Sequence, residues 1–259
     1  MVKKGYLLLI VALVAALGAQ SYALTMEEII DKNIQAKGGV EKLKAVMSKK
    51  MSGRMLVQGV ELPFTVYQKR PSLFRMEATI AGQTVVQAYD GKTAWAIQPG
   101  STGKPQKMPS MQAKSFRTQA DFDGPLVGYE EAGFTAELVG KEKMDGSDVY
   151  HLKLTTTNDS LRSAVGDFIT HIYLDAKSFL ECKITIEGQT GGTAFKVDSY
   201  HGDYKEEGGI VIAHSIETKM GDQTVSRMVY DKIEMNADID DSVFKMQGEK
   251  GKEQKTGKE

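Results

Sequence analysis

Between Met51 and Ile233 apolar and polar residues alternate in one short segment after another, about a dozen in all, most of them bounded by Gly, Asp or Pro. A period of two puts successive side chains on opposite faces, so each segment reads as a half-buried antiparallel strand. So many strands in one chain must curl into a barrel, split into a sandwich, or wrap around something. One stretch, from Pro109 to about Phe122, breaks the series with Met111, Phe116 and Ala120 at spacings that suit a short helix.

The alternation can be followed residue by residue. Met51, Gly53, Met55 and Val57 oppose Ser52, Arg54 and Gln58; Leu62, Phe64 and Val66 oppose Thr65, Tyr67 and Lys69; Phe74, Met76, Ala78 and Ile80 oppose Arg75, Glu77 and Thr79. Gln83 to Tyr89 and Thr93 to Ile97 follow, joined by Asp90-Gly91, a pair favoured in two-residue hairpin turns. Residues 99–109, rich in Gly, Pro, Ser and Lys, read as a surface loop. Seven more strands are predicted at 134–139, 149–156, 168–174, 180–187, 195–201, 210–219 and 224–233, with turns at Asp145-Gly146 and Gly208-Gly209. Short meander connections make sequence neighbours sheet neighbours. Ahead of the strands, Thr25 and Glu28 form a capping box that starts a helix, and Gly38-Gly39 stops it. A second helix, Val40 to about Met47, places Leu43, Val46 and Met47 on one side.

The N-terminus carries Lys3 and Lys4, an apolar run from Tyr6 to Leu17, and small residues at Ser21-Tyr22-Ala23, the pattern of a cleaved secretory signal. The run falls short of the roughly 20 residues a membrane-spanning helix needs. Cleavage after Ala23 leaves residues 24–246 as a single domain and 247–259, without an apolar residue, as a disordered tail. The remaining 31 basic against 34 acidic side chains give no basic excess for nucleic acid. Cys182 is the sole cysteine, so no internal disulfide forms. Cysteine poverty in an exported chain suits a bacterial periplasm, and without a cysteine at the cleavage site no lipoprotein anchor is expected.

Catalytic patterns are weak. His151, His171, His201 and His214 sit on four different strands with no fixed metal-ligand spacing, so no metal or other cofactor is predicted. Ser160, Ser163 and Ser178 lack a nucleophile elbow, and Cys182, alternating with Leu180, Ile184 and Ile186, reads as a small buried hydrophobe. Asp238, Asp240 and Asp241 lack the Gly and Glu of a calcium loop. An enzyme is therefore not expected. The apolar residues carry more information: thirteen methionines, several in strands, suit either core filling or a surface that accepts variable apolar shapes. Trp95, the one tryptophan, suits either a pocket guard or the core.

Several stretches in order resemble the outer-membrane lipoprotein-sorting family, with its LolA-like fold. They are residues 34–39 (IQAKGG), 87–95 (QAYDGKTAW), 120–126 (ADFDGPL), 202–205 (GDYK) leading to 215–218 (SIET), and 238–244 (DIDDSVF). The resemblance implies a mainly β, α+β fold: an incomplete antiparallel β-barrel of about 11–12 strands, with N-terminal helices and one inserted helix packed on its open, concave side. It further implies a soluble, monomeric periplasmic carrier that binds the acyl chains of a lipoprotein or other lipid for transfer towards the outer membrane, between membrane-bound donor and acceptor proteins. Alternation nominates Met55, Val57, Phe64, Val66, Phe74, Met76, Trp95, Met111 and Phe116 as cavity lining. Carriers of this family use a strand arginine to hold the closed state, for which Arg54 and Arg75 are the candidates. The alternative function is a periplasmic interaction or signalling module whose sheet binds a protein partner.

Overall fold

The computed structural model describes residues 24–101, 103–109, 122–156, 168–190 and 192–246. The predicted signal segment, the tail, Ser160, Ser163 and the predicted helix with Met111 and Phe116 lie outside these residues.

Helix α1 (Met26–Ala36) starts at the predicted capping box: the Glu28 amide donates to Thr25 Oγ1 at 3.2 Å, and the Thr25 amide donates to Glu28 Oε2 at 2.8 Å. Helix α2 (Val40–Ala45) is shorter than expected. Leu43 and Val46 are buried, but Met47 is 55% exposed, because the chain turns extended at Val46 before reaching the strand.

The strands are β1 (Ser48–Val57), β2 (Val60–Lys69), β3 (Leu73–Ile80), β4 (Gln83–Asp90), β5 (Ala94–Ile97), β6 (Gln106–Lys107), β7 (Phe134–Met144), β8 (Ser147–Thr156), β9 (Phe168–Asp175), β10 (Glu181–Thr190), β11 (Thr193–Glu207), β12 (Ile210–Met220) and β13 (Gln223–Met235). They form one antiparallel sheet in the order β6-β5-β4-β3-β2-β1-β13-β12-β11-β10-β9-β8-β7, open between β6 and β7. The fold is thus two meanders joined along β1 and β13, in the register Met51↔Ile233 and Met55↔Met228. A 3₁₀ turn (Asp241–Phe244) follows the last strand. The sheet exceeds the expected strand count because β6 forms inside the predicted 99–109 loop, pairing Trp95↔Lys107.

Four tips, Gln58-Gly59, Ala81-Gly82, Asp145-Gly146 and Gly208-Gly209, hold both residues at positive φ, the conformation that matches strand twist in a two-residue hairpin. Asp90-Gly91 departs from expectation. The Asp90 carboxylate accepts the amides of Lys92 (2.9 Å) and Thr93 (2.6 Å), so the turn opens across residues 90–93 and Tyr89 pairs with Ala94.

Register assigns the faces. Met55, Met228, Ile216, Ile184, Ile172 and Leu152 share the inner face, where α1 buries Ile29 and Ile30 against Leu152, Leu154, Ile172 and Leu174. The outer face carries Tyr173, Lys183, Tyr200, Glu217 and Arg227 in a row, with Lys183 Nζ 5.6 Å and 5.2 Å from the two tyrosine rings.

Candidate functional site: an apolar groove on the inner face

Helices α1 and α2 cover only part of the inner face. Among the described residues, the inward side chains over β1–β5 and β13 pack on one another. Met51, Phe64, Val66, Phe74, Tyr89 and Ile233 close into a core, with Phe64 edge-on to Tyr230 at 5.4 Å. Beyond that core the same strands enclose a groove of about 660 Å³, lined by Met55, Val57, Leu62, Met76, Ala78, Ile80, Val85, Met108 and Met228, with Gln87 and Gln98 as its polar side chains. No charged side chain lines it among the described residues. Such a cavity can hold an apolar ligand by area burial, and four methionines let its walls adapt to ligand shape. A second depression of about 1020 Å³ lies at the ends of β8–β11 and includes Glu187 and Lys196.

The nominated residues separate into three groups. Met55, Val57 and Met76 line the groove. Phe64, Val66 and Phe74 face the same way but are spent in the core beside it. Trp95 is on the other face: at 1% exposure it packs with Val86 and Ala88, stacks against Arg75 and donates from Nε1 to the Phe244 carbonyl at 2.8 Å. The 3₁₀ turn therefore seals Trp95 from outside, and it cannot reach the groove. Sequence reading missed Leu62, Ala78, Ile80 and Val85, which alternation could have supplied. It also missed Met228, which reaches the groove only through the pairing of β1 with β13.

The arginine candidates are displaced as well. Arg54 is exposed on the outer face between Glu61 and Asp231, and Arg75 pairs with Glu77 while donating to the Val243 carbonyl. Arg70, just past β2, takes the bridging position instead. It donates to Asp123 Oδ2 at 2.7 Å, to the Val46 carbonyl at 2.8 Å and to the Leu43 carbonyl at 3.1 Å, with its guanidinium 4.5 Å from the Phe122 ring. It joins the end of α2 to Phe122 and Asp123.

Under the end of α1 lies a buried polar group. Lys37 Nζ is 3.0 Å from Glu181 Oε1, and Tyr204 donates to the Glu181 carbonyl at 2.7 Å. Burial alone would raise the Glu181 carboxyl, but the Lys37 ammonium overrides it and holds the group below its ordinary range. His201 beside it is pushed down by burial. Cys182, half-buried at the bulge between β9 and β10, donates to the Tyr173 carbonyl, and burial raises its thiol to about 11. His151 and His171, which alternation did not bring together, lie 2.8 Å apart on the outer face as diagonal neighbours of β8 and β9, and burial lowers His151. Among the described residues no three His, Cys, Asp or Glu side chains converge as a metal cage, and no helix is long and apolar enough to cross a membrane.

Residues 68–248 match a protein family described as "-like: Uncharacterized protein". The chain belongs to that family. No curated protein matches the sequence. Solved structures give the fold. A LolA superfamily protein from Nitrosomonas europaea superposes with a TM-score of 0.58 at 14% identity, over 86% of this chain and 98% of that one. A DUF1329 family protein from Desulfovibrio piger matches with a TM-score of 0.58 at 10% identity, over 85% and 96%. A candidate outer membrane lipoprotein-sorting protein domain from Vibrio parahaemolyticus matches with 0.54 at 12%, over 84% and 94%. The fold is LolA-like: a mainly β, incomplete antiparallel barrel.

Proposed function

We propose that this protein is a soluble periplasmic carrier that holds acyl chains of a lipoprotein or another lipid in the inner-face groove, for transfer towards the outer membrane. The observation that carries the reading is the groove itself: about 660 Å³ of space walled by apolar side chains on an unclosed sheet. The LolA-like fold and the secretory pattern of residues 1–23 support it. A site of this kind binds without catalytic groups. At about 0.8 kcal/mol per buried methylene, each added carbon should tighten binding about fourfold until the groove is full.

A chain-length series of fluorescent fatty acids tests this directly. Affinity should climb with length and then level off, and Met76→Trp, which fills the groove from its wall, should weaken the longest probe about tenfold while leaving the fold intact by circular dichroism. Solvent extraction of the native protein should yield lipid. A flat response to chain length with no extractable lipid would sink the carrier reading. That result would favour the alternative, an interaction module using the sheet against a protein partner, which calls for a packed interior.

A further inference from the structure

The two ends of the sheet are built differently. At one end lie the tips 145–146 and 208–209 with the loops 91–93 and 176–180; at the other lie the tips 58–59, 81–82 and 221–222 and the exit of β5. The first end is stoppered by the helices. A Cβ on Gly38 would come within 2.5 Å of the Gly209 carbonyl, the Val211 amide donates to the Lys37 carbonyl at 3.0 Å, and Asn33 Nδ2 donates to the Phe179 carbonyl at 2.7 Å. At the second end the groove comes to the surface, since Val57, Ile80, Ile97 and Pro99 belong to its wall and to the strand ends.

The side chains at that open end are unusual for a surface in water. Val60 is 57% exposed, Met220 50% and Leu56 39%, three of the five large apolar residues exposed among the described residues. Between them stand Gln58, Gln83 and Gln223, with Asp222 the one charge at the three tips. The charges just behind are spent on one another: Arg54 with Asp231 at 3.2 Å and Arg227 with Glu217 at 3.2 Å. Isolated exposed apolar residues are ordinary, but three carried on the same end of the sheet, the end where the groove opens, mark a contact.

We infer that this open end docks on the surface of a lipid bilayer, the tips at Val60, Met220 and Leu56 dipping into the interface so that a chain passes into the groove without crossing water. The inference rests on the carrier reading. Separate apolar side chains on strand ends beside projecting turns suit a fluid interface, which closes around each of them, better than a protein partner, which needs a continuous complementary face. The lack of lysine and arginine at the tips makes docking independent of anionic lipid.

An environment-sensitive dye placed on Gln58→Cys reads the contact, with dye on Asp145→Cys at the stoppered end as control; labelling at neutral pH spares the half-buried Cys182. With phosphatidylcholine vesicles the dye at 58 should shift to the blue and brighten several-fold while the dye at 145 stays unchanged, with no further gain from anionic lipid. Val60→Asp with Met220→Asp should weaken vesicle binding at least tenfold. Uptake of a fatty-acid probe from dilute monomer solution, run on the same proteins, separates the two readings. Uptake without a vesicle response overturns membrane docking and leaves the carrier standing; a vesicle response without uptake supports docking and removes the carrier. Equal responses at 58 and 145, or a lipid-free dimer broken by the aspartates, would also overturn it.

Discussion

Replacing Lys37 with Met would strand a buried carboxylate. Glu181 has 6% of its side chain exposed, and its one cationic ion-pair partner among the described residues is Lys37 Nζ at 3.0 Å, itself 14% exposed. Removing one member of a buried pair costs about 3–5 kcal/mol, whereas replacing both members with apolar groups is close to neutral. At about 2–4 °C per kcal/mol for a domain of this size, Tm should fall by roughly 6–20 °C. The pH dependence carries the sharper information. In the native protein the Glu181 carboxyl lies below its ordinary range, so its stabilisation is present above the unfolded pKa and is lost as pH falls through the folded one. In Lys37→Met burial loses its main opponent, the carboxyl rises, and the sign reverses: acidification lets Glu181, or His201 beside it, take up a proton. Urea unfolding at pH 7.5 and pH 5 should therefore show the gap between native protein and variant narrowing at the lower pH. Lys37→Met with Glu181→Met should return to within about 1 kcal/mol of the native protein. A single variant that loses less than that, a gap that does not change with pH, or a double variant as weak as the single would refute the account.

Gly53→Ala should prevent correct assembly of the sheet, since a Cβ there would sit 1.9 Å from the Val229 carbonyl across the bulge between β1 and β13; soluble yield and near-ultraviolet dichroism report it. Ile172→Ala, fully buried under α1, should cost about 2–5 kcal/mol in urea unfolding, the range for emptying a core site. With its thiol raised to about 11, Cys182 should react with a disulfide reagent at pH 8 far more slowly than an exposed cysteine, and denaturant should abolish the difference. Trp95→Phe removes the donor to the Phe244 carbonyl and should cost about 1–3 kcal/mol, loosening the 3₁₀ turn enough to speed proteolysis near residue 245 while leaving fatty-acid binding unchanged.

Local structure was legible wherever one residue type dictated one geometry. Thr25 and Glu28 marked the helix start, Asp145-Gly146 and Gly208-Gly209 marked hairpins, and alternation located β1–β5 and β7–β13 to within a few residues, apart from the longer β7 and β11. Asp90-Gly91 misled because its own carboxylate captured the turn amides that a two-residue hairpin would have aligned. The groove was half legible. Alternation found Met55, Val57 and Met76, but it separates faces without saying which face a sheet curls around, so Trp95 was placed inside when the chain's own C-terminal turn covers it outside. Met228 and the role of Arg70 depend on partners well over a hundred and about fifty residues away, a relation no local pattern carries.

The pairing of β1 with β13 puts the first and last strands in the middle of the sheet and leaves its edges to strands from the middle of the chain. Each meander then lends an arm to the other: α1, preceding the first, lies on β8 and β9 of the second, and the 3₁₀ turn closing the second lies across β3–β5 of the first. Neither half can bury its own apolar face alone. The two edge strands, β6 and β7, do not pair with each other, so two fragments divided between them and made separately should recognise each other by exchanged arms and a shared seam, and the pair should assemble together or not at all.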